Sequence, residues 1–366
     1  MIITLGKKEF GEAVGIVSRF AERKSATLPV LSGIAIIAGD AGIKLRATNL
    51  ETGIDLLVAG TIKDPGVIAL PAGVLREITS SFGGAGSMTI EHAGETVVIT
   101  SDSGKSTLKT LPYEDFPVLP IPESPKAKFS LKGNTFRDLV GSVVSCASTS
   151  TVRPELASVL ITAEGGVLKA VATDSFRLAE KRSSLSGKIP PFSMLIPAKN
   201  AVDILQALPD DDIEITLDDH QCAFSWKEGV LTTRLVATSY PDYTQIIPKS
   251  FVSEATVLRK DFESGLRRVA VFSDAFQKIR LGLSTKDKSV LLSARNNDVG
   301  ESNEHLAAAV TGEDIELSFN HRYLSAPLSL IAADSITLSA SGIGRAAVIK
   351  GTGDTSFLYL VMPMNQ

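Results

Sequence analysis

The chain has 366 residues, with 37 basic and 41 acidic side chains and a formal net charge of −4. Hydrophobic residues make up 44% and charged residues 21%, an ordinary globular balance that excludes disorder along the whole chain. The length fits two or three domains, and the slight acidity gives no global pull toward nucleic acid, so any such binding needs a local basic patch.

The first ten residues, MIITLGKKEF, lack a basic stretch followed by an apolar core, which predicts no secretory signal. Residues 7–24 place Phe10, Val14, Val17 and Ala21 at helical spacing. Residues 42–49 alternate as a strand. Pro71 opens a second helix over 71–82, a position where its missing N–H costs nothing. Residues 88–111 read as consecutive strands with Gly, Asp and Ser turns. Within them GKST (104–107) resembles the end of a phosphate loop, but position 99 is Ile where that loop needs glycine, and a strand pattern follows. Residues 112–125 hold five prolines and read as a semi-rigid connector.

The same order then recurs. Residues 132–143 form a helix carrying Phe136, Val140 and Val143, residues 167–174 a strand, and Pro197 starts a helix over 197–208. Asp210, Asp211 and Asp212 sit between that helix and the strands of 213–238, where solvated turn residues are common. A connector at 239–250 carries Pro241 and Pro248. A helix over 259–269 carries Phe262, Leu266 and Val269, and a strand spans 289–296. In the segment 318–331, Asn320 is an N-cap candidate and Pro327 predicts a kink or an early end, since an interior proline costs about 3 kcal/mol. In 336–362, Gly342-Ile-Gly344-Arg-Ala-Ala347 matches a loose dinucleotide fingerprint, but AAVIKG alternates like a strand, so a hairpin is expected there.

Phe10, Phe136 and Phe262 are spaced 126 and 126 residues apart, as are Pro71 and Pro197. A common period with proline-rich joints implies three similar units, 1–125, 126–250 and 251–366. The six helical segments together carry net +6, which leaves −10 for the rest. A polyanion could therefore meet a helical face while the remaining surface stays acidic. Ordinary solvated helix faces explain the count as well. Two cysteines, Cys146 and Cys222, have no metal-ligand spacing and exclude a disulfide framework; a reducing compartment is the simplest expectation. Serine, cysteine and aspartate show no recognisable nucleophile context.

The strings TLPVLSG (27–33), ATNLETGI (47–54), TLPYEDFP (110–117), ATDSFRLA (172–179), YPDY (240–243), FNHRYL (319–324) and VMPM (361–364), in this order, resemble the bacterial β sliding clamp family, the β subunit of DNA polymerase III. The resemblance covers essentially the whole chain. It implies an α+β DNA-clamp fold of three similar domains, each with two helices on antiparallel sheets, in a head-to-tail dimeric ring. It implies a non-catalytic, cytoplasmic processivity factor with no cofactor and no metal. Its implied partners are encircled double-stranded DNA, a second copy of the chain, the replicative polymerase alpha subunit, the clamp-loader delta subunit, translesion polymerases and mismatch-repair proteins, with no membrane. Twelve helices about 10 Å wide would enclose a hole of roughly 28 Å, enough for a duplex and water. Contacts to such a duplex would be to phosphates, without base readout.

By motif, the family's peptide groove maps to Arg153, Leu156, Thr173, Ser175, Phe176, Arg177, Leu178, Pro241, Ile246, Phe276, Asn320, Tyr323, Val361, Met362, Pro363 and Met364. Arg153 and Arg177 are expected at its rim, holding polar or acidic peptide groups. Ser175-Phe176 replaces the usual Gly-His, Asn365-Gln366 replaces the usual basic residue and leucine, and Pro154-Glu155 stands where relatives carry an aromatic pair. Arg23 and Lys24 map to a DNA contact, and Leu108 with Val271 and Phe272 to the dimer contact. On the residues alone, two other readings stand: a scaffold that binds only proteins, and an enzyme with a site at a domain junction around Asp174 and Arg177.

Overall fold

The computed structural model describes residues 1–22, 28–81, 85–185 and 189–364. Its helices are α1 (Lys7–Val17), α2 (Ala72–Ser80), α3 (Gly133–Gly141), α4 (Ala198–Ala207), α5 (Arg259–Ala270) and α6 (His321–Ser325). The prolines mark the helix starts, each standing one position earlier relative to its helix than predicted. Pro71 and Pro197 end the strands Gly66–Pro71 and Phe192–Pro197 and stand at the N-caps of α2 and α4. Asn320 caps α6 by accepting the Arg322 N–H, and α6 ends at Ser325, before Pro327. The repeated Phe10, Phe136 and Phe262 are all buried.

By contacts the chain divides into two compact units, Met1–Arg137 with Gly187–Ala237, and Asp138–Ser186 with Thr238–Gln366. The sequence repeats do not coincide with these units, and strand pairing explains why. In the first unit, Gly229–Arg234 of the middle repeat pairs antiparallel with Thr52–Val58 of the first. A single sheet therefore runs Ala127–Lys132, Asp212–Leu217, Gln221–Trp226, Gly229–Arg234, Thr52–Val58, Gly42–Thr48, Gly33–Gly39, Gly66–Pro71. A second sheet runs Gly60–Asp64, Ile2–Gly6, Ser87–Ala93, Thr96–Ser101, Gly104–Lys109. Burial of Phe10, Ala13, Val14 and Val17 packs α1 against the strands Thr52–Val58 and Gly42–Thr48 and against α2. Phe136 meets Phe224 edge-on, ring centres 5.1 Å apart.

In the second unit, Arg177–Ser184 of the middle repeat pairs antiparallel with Phe357–Val361 of the third. The sheet continues through Ala347–Gly351, Ser335–Ala340, Ser253–Leu258, Gly300–Gly312, Ser289–Asn296, Lys278–Ser284 and Ile315–Asn320. α5 buries Phe262, Gly265, Leu266 and Val269 on this sheet. A side chain at Gly265 would reach within 3.2 Å of Leu306, so glycine sets how closely the helix approaches.

The motifs set aside in the sequence fold accordingly. GKST begins the strand Gly104–Lys109. Gly342 and Gly344 lie in the hairpin joining Ser335–Ala340 to Ala347–Gly351. Asp210 pairs with Arg137, and the Asp211 carbonyl accepts the Gly133 N–H.

Candidate functional site

The second unit assembles a frame around the turn 173–177. Thr173 Oγ1 donates to the Arg177 carbonyl at 2.7 Å. Asp174 Oδ1 accepts the N–H groups of Phe176 (2.9 Å) and Arg177 (3.0 Å). These bonds hold Ser175 at φ 77°, a left-handed backbone, and turn Phe176 outward, 61% exposed. Arg177 then enters its strand opposite Val361, with Leu178 and Val361 buried. Beyond that strand the tail crosses the unit. The Met362 N–H donates to the Phe176 carbonyl and the Met364 N–H to the Ser318 carbonyl, both at 2.7 Å. Met362, Pro363 and Met364 are half-buried.

Arg177 is used inside this frame. Its Nε donates to Asp174 Oδ2 at 2.9 Å and its Nη2 to the Ser145 carbonyl at 2.7 Å, and its guanidinium lies 4.8 Å from the centre of the Tyr323 ring. The expected rim cation is instead a strut joining the turn, the 144–146 segment and α6. Arg153 is exposed, with Nε on Glu155 Oε1 at 2.9 Å. Leu156 is buried beneath, its N–H bonded to the Arg153 carbonyl at 3.0 Å. Both Asp174 oxygens accept hydrogen bonds, and burial pushes the neighbouring Cys146 thiol up to about 11, so it stays protonated and is a poor nucleophile.

Three further expected residues stand out from this frame. Phe276 is 72% exposed at a turn where Asp274 Oδ1 accepts the N–H groups of Phe276 (2.9 Å) and Lys278 (3.0 Å). Gln277 bonds His321 Nε2 at 2.7 Å, and burial lowers the His321 pKa, with Arg322 adding to the shift. Pro241 is exposed, and Ile246 is half exposed at the end of the helical turn Tyr243–Ile246. Sequence reasoning missed Ser145, Glu180 and Ser318, whose roles are carbonyl or cross-chain contacts that leave no local pattern.

The basic helical face is smaller than the charge count suggested. Lys7 is buried and pairs with Asp102 at 2.8 Å. Arg137 bonds the Leu205 carbonyl at 3.0 Å and pairs with Asp210. Arg259 bonds the Ala333 and Leu328 carbonyls at 3.1 and 3.2 Å. Arg268 grips Glu304 with two bonds, 2.9 and 2.7 Å. Lys8, Arg19, Lys132, Lys199, Lys260 and Arg322 remain exposed. Arg23 and Lys24 lie outside the described residues, as do Asn365 and Gln366.

Leu108 is 6% exposed, already covered within its own unit, whereas Val271 is 67% exposed and Phe272 half-buried beside Gly300. Free apolar surface at the expected dimer contact therefore comes from Val271 and Phe272 and not from Leu108. Backbone edges are available too. Gly104–Lys109 ends its sheet. Gly300–Ala307 pairs with Ser289–Asn296, while only the continuation from Ala308 to Gly312 pairs with Ser253–Val257.

Three repeats of helix and antiparallel strand, joined by sheets that run from one repeat into the next, define the DNA-clamp fold. Family models agree segment by segment: the N-terminal domain of the DNA polymerase III beta subunit matches residues 1–120, its central domain 130–242 and its C-terminal domain 244–365. The chain is 28% identical to the beta sliding clamp of Synechococcus elongatus, over 100% of this chain and 99% of that one. It is 27% identical to that of Bacillus subtilis, over 100% and 99%. Among solved structures, the Bacillus subtilis sliding clamp superposes with a TM-score of 0.92 at 26% identity, covering 100% of this chain and 99% of that one. The Thermotoga maritima beta subunit superposes with a TM-score of 0.93 at 22% identity, covering both chains fully.

The chain belongs to the DNA polymerase III beta subunit family. It is a sliding clamp, a non-catalytic processivity factor of DNA replication.

Proposed function

We propose that the frame around residues 173–177 and the tail Met362–Met364 form the groove through which this clamp holds its partners. The carrying observation is a rigid, fully hydrogen-bonded turn that leaves Phe176 exposed beside a methionine-bearing tail. Flexible, polarizable methionine beside fixed aromatic anchors suits short apolar segments from several proteins. The replicative polymerase alpha subunit, the clamp-loader delta subunit, translesion polymerases and mismatch-repair proteins are the proposed ligands, each through a segment with a glutamine and apolar anchors. Deleting residues 362–366 tests this. The truncated chain should remain folded, because the described part of the tail gives two backbone hydrogen bonds, worth about 1 kcal/mol each. It should lose such peptides. Peptide binding at full strength by the truncated chain would refute the groove.

We further propose three domains, 1–125, 126–250 and 251–366, in a head-to-tail dimer closed around double-stranded DNA in the cytoplasm. Val271 and Phe272 supply apolar contact, and the edge strand Gly104–Lys109 of one copy meets the Gly300–Ala307 edge of the other. The charges favour that pairing, with Lys105 and Lys109 on one strand and Glu301 on the other. Unpaired edges are otherwise an aggregation hazard, which closure removes. Arg23 and Lys24 are proposed phosphate contacts, with no reading of base sequence.

A further inference from the structure

The connector of residues 239–250 is tied to the second unit's sheet by a buried acid. Glu180 lies on the strand Arg177–Ser184, opposite Leu358, and is 2% exposed. Its Oε2 accepts the Tyr243 hydroxyl at 2.6 Å, and its Oε1 accepts Arg182 Nε at 2.6 Å. A buried carboxylate is tolerated only when its oxygens are occupied in this way. Burial, then the Glu180 carboxylate, raises the Tyr243 pKa, so the phenol keeps the proton it donates.

Tyr243 is also the first residue of the helical turn that ends at Ile246. Asp242 closes that turn, accepting the Thr244 N–H at 3.1 Å and the Gln245 side chain at 2.9 Å. The turn is thus internally rigid, and the Tyr243 hydroxyl bonds it to the strand that also carries Leu178. A wall held in place before binding spares the partner the cost of ordering it.

We propose that Glu180 and Tyr243 are positioning residues of the partner groove, their hydrogen bond holding Ile246 where an apolar peptide anchor meets it. The proposal rests on the groove reading above and adds two residues that line no part of that groove.

The test uses the full chain and a short fluorescein-labelled peptide carrying a glutamine and leucine anchors. Anisotropy gives peptide affinity, and amide hydrogen exchange follows residues 244–247. Tyr243→Phe should weaken the peptide roughly three- to tenfold, the worth of one hydrogen bond, and speed exchange at 244–247. Glu180→Gln has one side-chain oxygen for two donors, the phenol and Arg182, so it should also weaken the peptide and speed exchange at 244–247. Combined with Tyr243→Phe it should cost less than the sum of the two single losses, because both break the same hydrogen bond, whereas two unrelated structural defects would add. Unchanged affinity in Tyr243→Phe overturns the proposal, as does full additivity of the two losses. Ile246→Ala separates the two levels. If it leaves affinity intact, the groove itself is misassigned. If it weakens binding while Tyr243→Phe does not, only the positioning role fails.

Discussion

Ser175 sits at φ 77°, in the left-handed region where a β-carbon costs about 1 kcal/mol or more. The turn bonds from Thr173 and Asp174 hold it there. Ser175→Gly should therefore be more stable than Ser175→Ala by about 1 kcal/mol, read as a higher urea midpoint. Equal midpoints would show the turn relaxes. Lys7 and Asp102 give a second residue-scale test. The Lys7 ammonium, with a backbone hydrogen bond, holds the Asp102 carboxyl below its ordinary 3.8. A group depressed in the folded state adds its stability in full above the unfolded value, and loses it as pH falls through the folded value. Asp102→Asn should thus flatten the acid side of the stability profile below about pH 4. A profile parallel to the parent's would show that the pair contributes nothing there. Neither residue's state was visible in the sequence. A one-letter string shows the serine, but not its backbone angle. It counts Lys7 as a surface charge because the Asp102 that neutralises it arrives from a strand turn 95 residues away.

Elements were more legible, because their signals are local. Phe10, Phe136 and Phe262 mark buried helix faces by periodicity alone, and strands at Gly42–Thr48, Val167–Thr173 and Ser289–Asn296 follow their alternation. The short α6 was equally readable from Asn320 and Pro327. Asn320→Ala should cost about 1 kcal/mol as a lost cap, and should weaken groove binding by loosening Tyr323 under Arg177. Calorimetry and anisotropy on the same variant check both effects; a stability loss without an affinity loss would uncouple α6 from the groove. Edges and contacts between elements were less legible. Burial of Leu108 depends on how its sheet is covered, and this leaves the proposed dimer contact to Val271 and Phe272. Phe272→Glu should raise the dimer dissociation constant at least about tenfold, since burying such a side chain is worth roughly 1.5–3 kcal/mol and a closed dimer repeats the contact. Sedimentation velocity across a dilution series reads this directly, and an unchanged dimer would place the interface elsewhere.

At the scale of the whole molecule, strand pairing runs from one repeat into the next within each of the two compact units, and the described helices carry basic charge that a duplex could meet. Internal pairing of Lys7, Arg137, Arg267 and Arg268 thins that charge. Affinity for free linear DNA should therefore be low and salt-sensitive, with topology doing what electrostatics does not. The most direct test loads the clamp onto a nicked circular plasmid with its clamp loader and ATP, then follows co-elution by gel filtration before and after cutting the plasmid once. Retention on the circle and release after linearisation is the predicted result. Equal retention on both forms, or retention that depends on base sequence, would contradict a ring that encircles DNA.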